Sequence, residues 1–193
     1  IMAAAGLVVL SPVFAGIYLA IKLEDGWDAP VFFKQKRVGL HKEHFMLYKY
    51  RSMKLDTPHD VPTHLLADPD QYITKVGRFL RKSSLDELPQ LFNILKGEMS
   101  VVGPRPERIE HVAEYSEEIP EFVNRYKVKG GLTGYAQVFG KYNTSAYNKL
   151  KMDLIYIQNY SLFLDFKLIL MTVKILFKKE STEGFDVKRK NQK

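Results

Sequence analysis

The stretch SSLDELPQL, residues 83–91, places two adjacent acids, Asp86 and Glu87, shortly before Pro89. Ser84 and Glu87 have the spacing of a capping box, which favours a plain helix start. A helix begun at Ser84 would enclose Pro89, which lacks a backbone N–H and clashes with the preceding turn. The sequence therefore favours a helix that starts near Asp86.

The residues that follow support that start. Apolar side chains then recur at helical spacing, at Leu88, Leu91, Phe92 and Leu95. Gly97 can end the helix in the left-handed conformation. The N-terminus of a helix also binds phosphate, so an acid and an anion can share this place if a metal ion or arginines balance the charge. The acid pair is either a helix start alone or a helix start that also performs chemistry.

Composition narrows the class of protein. A chain of 193 residues with 46% hydrophobic composition can bury one substantial core. The sequence has no cysteine, which excludes a disulfide framework and thiolate metal sites. The net charge is +7, but residues 107–121 carry −5, so the remainder carries +12. This balance predicts an anionic partner, which is a nucleic acid, a membrane surface or a phosphorylated substrate.

The first segment, Ile1–Ile21, contains no charged residue and is long enough for a helix to cross a hydrocarbon core. It lacks the basic leading region of a secretory signal. Ser11 and Pro12 interrupt it, because proline removes a backbone donor and biases Ser11 away from helical angles. Three structures remain open: a kinked spanning helix, a re-entrant helix, and a buried helix of a soluble core. We expect an N-terminal truncation, since the chain begins with Ile.

Strand and loop patterns follow. Val31–Arg37 and His44–Arg51 predict a hairpin around a turn at Gly39. Residues 54–70 contain three prolines and predict a long loop, and a helix is expected over residues 74–82.

The second half begins with GPRP, Gly103–Pro106, a rigid irregular segment that presents Arg105 between two prolines. Residues 107–126 are helical by composition except at Pro120, and residues 129–140 predict a glycine-rich turn, a short strand and another turn.

A basic amphipathic helix is expected near the end, in SLFLDFKLILMTVKILFKK, residues 161–179. Helical projection puts Lys167, Lys174 and Lys178 on one face with Met171, and it puts Leu162, Phe166, Ile169, Val173 and Leu176 on another. Such a helix either lies on an anionic bilayer or packs against the domain core.

Several motifs together closely resemble the bacterial sugar transferase family, the monotopic phosphoglycosyl transferases. The motifs are FKQKRVG, YKYRSM, SLDELPQLFNILKGEMSVVGPRP, LTGYAQV and DLIYIQNYSLFLD. The resemblance runs from about residue 10 to residue 185, and the ending KESTEGF looks like the larger members, whose catalytic domain follows a membrane portion.

The resemblance implies a reaction. A hexose-1-phosphate would pass from a UDP-sugar to polyprenyl (undecaprenyl) phosphate, with release of UMP and a covalent phosphosugar-aspartate intermediate. This step would initiate capsule, exopolysaccharide or other glycoconjugate synthesis. The implied cofactor is Mg²⁺, and the implied partners are the UDP-sugar, polyprenyl phosphate and membrane lipids, with no nucleic acid and a possible homo-oligomer.

Residue roles carry over by motif. Asp86 matches the family's nucleophile, and Glu87 matches the second acid, which assists metal binding or handles a proton of the lipid phosphate. Both are implied metal ligands. Arg105 in the Pro-Arg-Pro motif matches the phosphate-binding arginine. The other implied substrate-binding residues are Arg81, Lys49, Arg51, Lys129, Gln137 and Asp153.

The resemblance also implies the architecture: an α+β, mainly helical monotopic membrane domain with a small β-sheet. Residues 1–22 would form a re-entrant helix broken at Ser11-Pro12, residues 23–185 the transferase domain and residues 186–193 a basic tail. The location would be the bacterial inner membrane, with the active site on the cytoplasmic face.

Two departures from the family pattern leave the sugar open. Lys129-Gly130-Gly131 stands where many relatives have Arg-Pro-Gly or Lys-Pro-Gly, and VFGKYNT replaces a common VNGR. The competing hypothesis is a module without turnover that binds membranes or nucleic acid, or that regulates. Such a module would bind phosphates with steep salt dependence and would be indifferent to Asp86→Asn.

Overall fold

The computed structural model describes residues 2–58, 68–141 and 143–176, which contain eight α-helices, four short β-strands and four 3₁₀ helices. The 3₁₀ helices are Leu40–Lys42, Pro69–Tyr72, Leu85–Glu87 and Pro120–Lys127. The helices are α1 (Met2–Val9), α2 (Ser11–Asp25), α3 (Lys75–Ser83), α4 (Gln90–Leu95), α5 (Ile109–Glu118), α6 (Tyr135–Phe139), α7 (Ala146–Asn159) and α8 (Leu162–Leu176). The strands are β1 (Phe32–Val38), β2 (His44–Tyr50), β3 (Ser100–Val102) and β4 (Gly131–Thr133). The predicted α+β, mainly helical class is confirmed.

The two sheets each have two strands. β1 pairs with β2 around a 3₁₀ turn at Leu40–Lys42, where the sequence predicts two paired strands. β3 pairs with β4 in parallel, with Ser100 opposite Gly131. The chain divides into two units: the first is Ile1–Lys34 with Tyr48–Phe92, and the second is Gln35–Leu47 with Asn93–Lys193.

The N-terminal segment is bent where the sequence is interrupted. α1 and α2 meet at an angle of 58°. The hydroxyl of Ser11 donates to the carbonyl of Val8 at 2.8 Å, which satisfies a backbone oxygen that Pro12 leaves without its usual donor. In the described ranges no single helix is long and apolar enough to cross a bilayer, and only the bent pair α1 with α2 passes that test.

The core of the first unit forms between α2 and the elements packed on it. Ile17 and Ile21 of α2 contact Val31, Tyr50 and Leu80. These side chains are buried because α2 turns one apolar stripe inward at a spacing of four residues.

α3 begins with two separate caps. The Thr74 hydroxyl accepts from the N–H of Gly77 at 2.9 Å. The Glu24 carboxylate at the end of α2 accepts from the N–H groups of Lys75 at 2.7 Å and Val76 at 2.9 Å. Three N–H groups that a helix start leaves without intrahelical partners are therefore satisfied, one of them from within the turn and two from a neighbouring helix.

Gly77 lets α3 approach the chain segment after β2. A Cβ at this position would overlap the backbone of Ser52. We expect Gly77→Ala to lower the free energy of unfolding by about 2 kcal/mol or more, because backbone cannot yield as a side chain does.

Gly16→Ala is the matched control, since Gly16 is also helical and nothing lies within 4 Å of its Cβ position. It should be neutral or stabilising by up to about 1 kcal/mol. Urea unfolding followed by circular dichroism measures both variants. Equal effects of the two substitutions would contradict the close approach at Ser52.

The second unit is built on close backbone contact and two apolar clusters. A Cβ on Gly131 would overlap the backbone of Gly103, so β3 and β4 can pair only with glycine there. One cluster joins Val38, Phe122, Tyr126 and Leu150, and the other joins Val102, Tyr156 and Leu168.

α8 both packs and exposes apolar surface. Leu168 is fully buried and Ile169 packs beside it, so Ile169 lies on the packed side of α8, apart from the residues that the projection grouped with it. The outer side exposes Leu162, Phe163, Phe166, Leu170, Val173 and Leu176. Lys178, the end of the predicted helix and the tail of residues 186–193 lie outside the described residues, as do residues 59–67 of the predicted loop.

Two local predictions are wrong. The helix expected from Asp86 begins at Gln90, because Pro89 lacks the N–H that an earlier start would need, and residues 85–87 form a 3₁₀ turn instead. The turn expected after β4 is the short helix α6. The predicted stop at Gly97 is confirmed by its φ of 81°.

Candidate active site

The acid pair lies on a single 3₁₀ turn, Leu85–Glu87, between α3 and α4. Ser84, the residue directly after α3, adopts the left-handed conformation with φ of 56°. A residue other than glycine is uncommon there and costs about 1 kcal/mol. The change of backbone direction at Ser84 leads directly into the 3₁₀ turn. Asp86 and Glu87 are both half-buried on this turn.

Lys49 of β2 holds one of the two acids. Its ammonium lies 2.9 Å from Oε1 of Glu87, and both side chains are about one-fifth exposed. The pair joins two of the residues that the resemblance selects, and it fixes Glu87 more firmly than a fully exposed pair would.

Arg81 lies on the last turn of α3, five residues before Asp86. Its Nε donates to the hydroxyl of Ser52 at 2.9 Å. Burial lowers the pKa of Arg81, and the negative charges of Asp86 and Asp70 oppose that shift. The Arg81 guanidinium therefore lies within electrostatic range of the Asp86 carboxylate, and the structure brings Asp86, Glu87, Lys49 and Arg81 together in the first unit.

Arg51 occupies a different position. Its guanidinium donates to the carbonyls of Pro30 at 2.6 Å and Met53 at 3.0 Å, and it pairs with Asp25 at 2.8 Å. These contacts hold the end of α2 to the chain around β2. Binding of substrate by Arg51 stays a prediction.

In the second unit, Arg105 is half-buried on the Gly103–Pro106 segment, and the backbone just before Arg105 is hydrogen-bonded to β4. Gly103 donates to Thr133 at 2.8 Å, and the carbonyl of Pro104 accepts from Gly131 at 2.9 Å. The rigidity that the two prolines predict is thus reinforced by β4.

A buried charge cluster lies beside this segment. Arg125 and Asp153 are 4% and 1% exposed, and Arg125 Nη2 lies 2.7 Å from Asp153 Oδ2. Glu107 adds a second carboxylate, 3.5 Å from Arg125 Nη1. Burial raises the pKa of Asp153 to about 6, and the charge of Arg125 opposes this shift.

Lys129 and Gln137 lie near the same glycine-rich turn. Lys129 is exposed, with its ammonium beside Gly97. Both polar atoms of the Gln137 side chain are buried without a hydrogen-bond partner among the residues that the structure describes.

Sequence reasoning missed Ser52, Glu107 and Arg125. A signal for Arg125 exists, because it follows Phe122 by three residues and precedes Tyr126, so it falls on the apolar side of its helical turn. A charged residue on a buried face needs a partner of opposite charge. Ser52 and Glu107 carry no comparable signal.

Most of the chain matches the pattern of one family. The model of the bacterial sugar transferase family matches residues 1–179, and the chain belongs to that family. The resemblance found in the motifs is thereby confirmed.

Curated relatives show the same relationship. The chain is 40% identical over 185 residues to UDP-glucose:undecaprenyl-phosphate glucose-1-phosphate transferase of Xanthomonas campestris pv. campestris, covering 93% of this chain and 38% of that protein. It is 39% identical over 176 residues to UDP-N-acetylgalactosamine-undecaprenyl-phosphate N-acetylgalactosaminephosphotransferase of Aeromonas hydrophila, covering 88% of this chain and 41% of that protein. An uncharacterized sugar transferase of Bacillus subtilis is 44% identical over 154 residues, covering 80% of this chain and 72% of that protein. The chain thus spans well under half the length of the first two relatives.

Proposed function

We propose that this chain carries the transferase activity of its family: it moves a hexose-1-phosphate from a UDP-sugar to undecaprenyl phosphate and releases UMP. The observation that carries the proposal is the 3₁₀ turn with two adjacent carboxylates, flanked by Lys49 and Arg81. The names of the curated relatives, which are undecaprenyl-phosphate sugar-phosphate transferases, support it.

The proposed chemistry has two steps. A carboxylate oxygen of Asp86 attacks the β-phosphorus of the UDP-sugar, and the bond from that phosphorus to the bridging oxygen breaks, so UMP leaves with the bridging electron pair. A phosphate oxygen of undecaprenyl phosphate then attacks the phosphosugar, and the Asp86 carboxylate leaves unchanged. A carboxylate can act as such a nucleophile where nearby cations balance the charge that gathers on the phosphoryl oxygens.

Arg81 and Lys49 supply cationic side chains on the turn's own unit. Because Arg81 is anchored by Ser52 through Nε, its terminal nitrogens keep a fixed direction. Arginine binds phosphate oxygens through a planar fork, whereas lysine offers a compact charge. We propose that Arg81 binds donor phosphate, that Lys49 orients Glu87, and that Glu87 handles the proton of the lipid phosphate.

Mg²⁺ is proposed as the cofactor. Among residues 2–58, 68–141 and 143–176, no group of three or more His, Cys, Asp or Glu side chains is placed to hold a metal ion. Two carboxylates still fit Mg²⁺, which is commonly bound by one or two carboxylates together with substrate phosphates. Asp86 and Glu87 would hold it, and it would supply positive charge to the phosphoryl oxygens.

Three residues of the second unit are proposed to bind substrate. Arg105 would bind a phosphate group, and its segment is rigid enough to aim one side chain. Gln137 has a buried amide without a partner among described residues, and it would bond a polar group of the sugar or the uracil. Lys129 would contribute positive charge.

Membrane association is proposed from two features, one in each unit. The bent pair α1 with α2 reaches the length and composition of a re-entrant helix, whose break at Ser11 and Pro12 is partly satisfied by the Ser11 hydroxyl. The outer face of α8 exposes Phe163 to 80% and other large apolar side chains beside Lys167 and Lys174. Flotation with anionic lipid vesicles should carry the protein upward, and protein that stays in the dense fraction contradicts this proposal.

UMP release tests the proposed reaction. Purified protein with undecaprenyl phosphate and Mg²⁺ should release UMP from one or two members of a UDP-sugar panel that includes glucose, galactose and their N-acetylated forms. Omission of the lipid should stop steady turnover, and chelation of Mg²⁺ should lower the rate. Absence of UMP with every donor, from protein whose circular dichroism shows a folded state, would overturn the proposal and favour the binding module.

A further inference from the structure

Hydrogen bonds to backbone carbonyl groups fix the Gly103–Pro106 segment and the residue after it, Glu107. Pro104 accepts from the N–H of Gly131 at 2.9 Å, and Arg105 accepts from Arg125 Nη2 at 3.0 Å. Pro106 accepts from Arg37 Nη1 at 3.0 Å, and Glu107 accepts from the N–H of Val38 at 3.1 Å. Four successive carbonyls thus have a donor each, in a stretch where two prolines remove the N–H groups that could bond instead.

Arg125 differs from the other donors because it is itself fixed on several sides. Asp153 and Glu107 bind its two terminal nitrogens, and its guanidinium lies 4.8 Å from the ring centre of Phe122. Burial and paired carboxylates leave it little freedom to rotate.

We propose that Arg125 is a positioning residue for the reaction. By donating to the carbonyl of Arg105, it fixes the peptide plane that follows the Arg105 Cα, and so it sets the direction in which the Arg105 side chain leaves the backbone. This inference rests on the proposed function, because it assumes that Arg105 binds a phosphate group of the substrate. Asp153, predicted from the resemblance as a substrate-binding residue, then acts through Arg125.

A lysine cannot replace Arg125 in this role. The planar guanidinium of Arg125 places Nη2 against both the Asp153 carboxylate and the Arg105 carbonyl and turns Nη1 toward Glu107, whereas lysine offers one ammonium on a flexible stem. The space beside Arg125 is a cavity about the size of one water molecule, lined in part by Pro104, Arg105 and Tyr126. Arg125→Lys therefore keeps the buried charge that Asp153 needs but weakens the hold on Arg105.

A double-mutant cycle on UMP release provides the first test. Arg125→Lys should lower kcat/KM for the UDP-sugar roughly tenfold, and in an Arg105→Ala background the same substitution should change it less than about twofold. Equal losses in both backgrounds would show that Arg125 only supports the fold and would overturn the inference. Arg78→Lys, at an exposed position of α3, is the matched control.

Hydrogen exchange gives a second readout that needs no turnover. In Arg125→Lys, the amides of Gly103 and Gly131 should exchange roughly tenfold faster, while those in the middle of α7 keep their protection. Unchanged exchange at Gly103 and Gly131 overturns the inference even if the enzyme is active. A different result separates the two proposals. If the Gly103 and Gly131 amides exchange faster in Arg125→Lys but the wild-type protein releases no UMP with any donor, Arg125 still fixes the Gly103–Pro106 segment, and only the proposed function is contradicted.

Discussion

Asp86→Asn should abolish UMP release, with a loss of roughly a thousandfold or more, because the substitution removes the proposed nucleophile. Asparagine has nearly the same size as aspartate, and Asp86 is half-buried on a short turn, so the fold should survive. The amide nitrogen and oxygen cannot form the acyl phosphate that a carboxylate forms. The loss therefore reports chemistry and not stability.

The covalent step itself can be observed. Wild-type protein incubated with its UDP-sugar, but without undecaprenyl phosphate, should release about one UMP per active site and retain a phosphosugar. Mass spectrometry should locate the adduct on the tryptic peptide of residues 83–96, which contains Asp86 and Glu87. Asp86→Asn should show neither the burst nor the adduct.

Asp28→Asn is the matched control, since Asp28 is an exposed aspartate of the same unit. It should keep the rate of the wild type. An adduct that persists in Asp86→Asn but vanishes in Glu87→Gln would assign the nucleophile to Glu87 and contradict the proposed roles. Full activity of both variants would remove the acid pair from the mechanism.

The second large effect is expected in stability. Arg125→Met should lower the free energy of unfolding by about 3 to 5 kcal/mol at neutral pH, because it leaves the buried carboxylate of Asp153 without its counter-charge. The double variant Arg125→Met with Asp153→Asn removes that lone charge, so it should recover part of the loss. Urea unfolding of the three proteins in one detergent measures these differences.

The loss should also depend on pH. Because the folded pKa of Asp153 is about 6 and its ordinary value is lower, the folded state holds a proton that the unfolded state has lost between those values. The contribution of Asp153 to stability therefore falls as pH rises through that window. Removing Arg125 raises this pKa further, so the variant goes on losing stability where the wild type no longer does, and the gap between them should widen from about pH 6 upward. A gap independent of pH would contradict the charge argument.

Local sequence patterns predicted much of the fold because they depend on residues close in the chain. The backbone limits of proline and glycine explain the bend near Ser11 and Pro12, the left-handed Gly97 shortly after α4, and the break of the acidic helix at Pro120. The start of α4 failed for a related reason. In the prediction Pro89 excluded a start at Ser84, but a start near Asp86 still places this proline inside the first turn, and the helix begins only after it, at Gln90.

The candidate site was predictable only where motif and charge coincide. The acids at Asp86 and Glu87 stand out in the sequence, and the contact of Lys49 with Glu87 agrees with its motif. Contacts across 20 or more residues, such as Arg125 with the carbonyl of Arg105 or Arg81 with Ser52, leave no periodic trace in the sequence. These contacts depend on how elements far apart in the sequence pack together in the fold, and local propensity does not encode that packing.

Glu24 caps α3 from the end of α2, so the start of α3 depends on the position of α2. The carboxylate stands at the end of α2 and accepts from Lys75 and Val76, so any rotation of α2 that withdraws Glu24 exposes two N–H groups at the start of α3. α3 ends with Arg81 and leads directly into the turn that carries Asp86. The position of α2 therefore affects the position of the turn that carries the acid pair. An N-terminal segment that anchors the chain would, through Glu24 and α3, also influence where the Asp86 and Glu87 carboxylates lie.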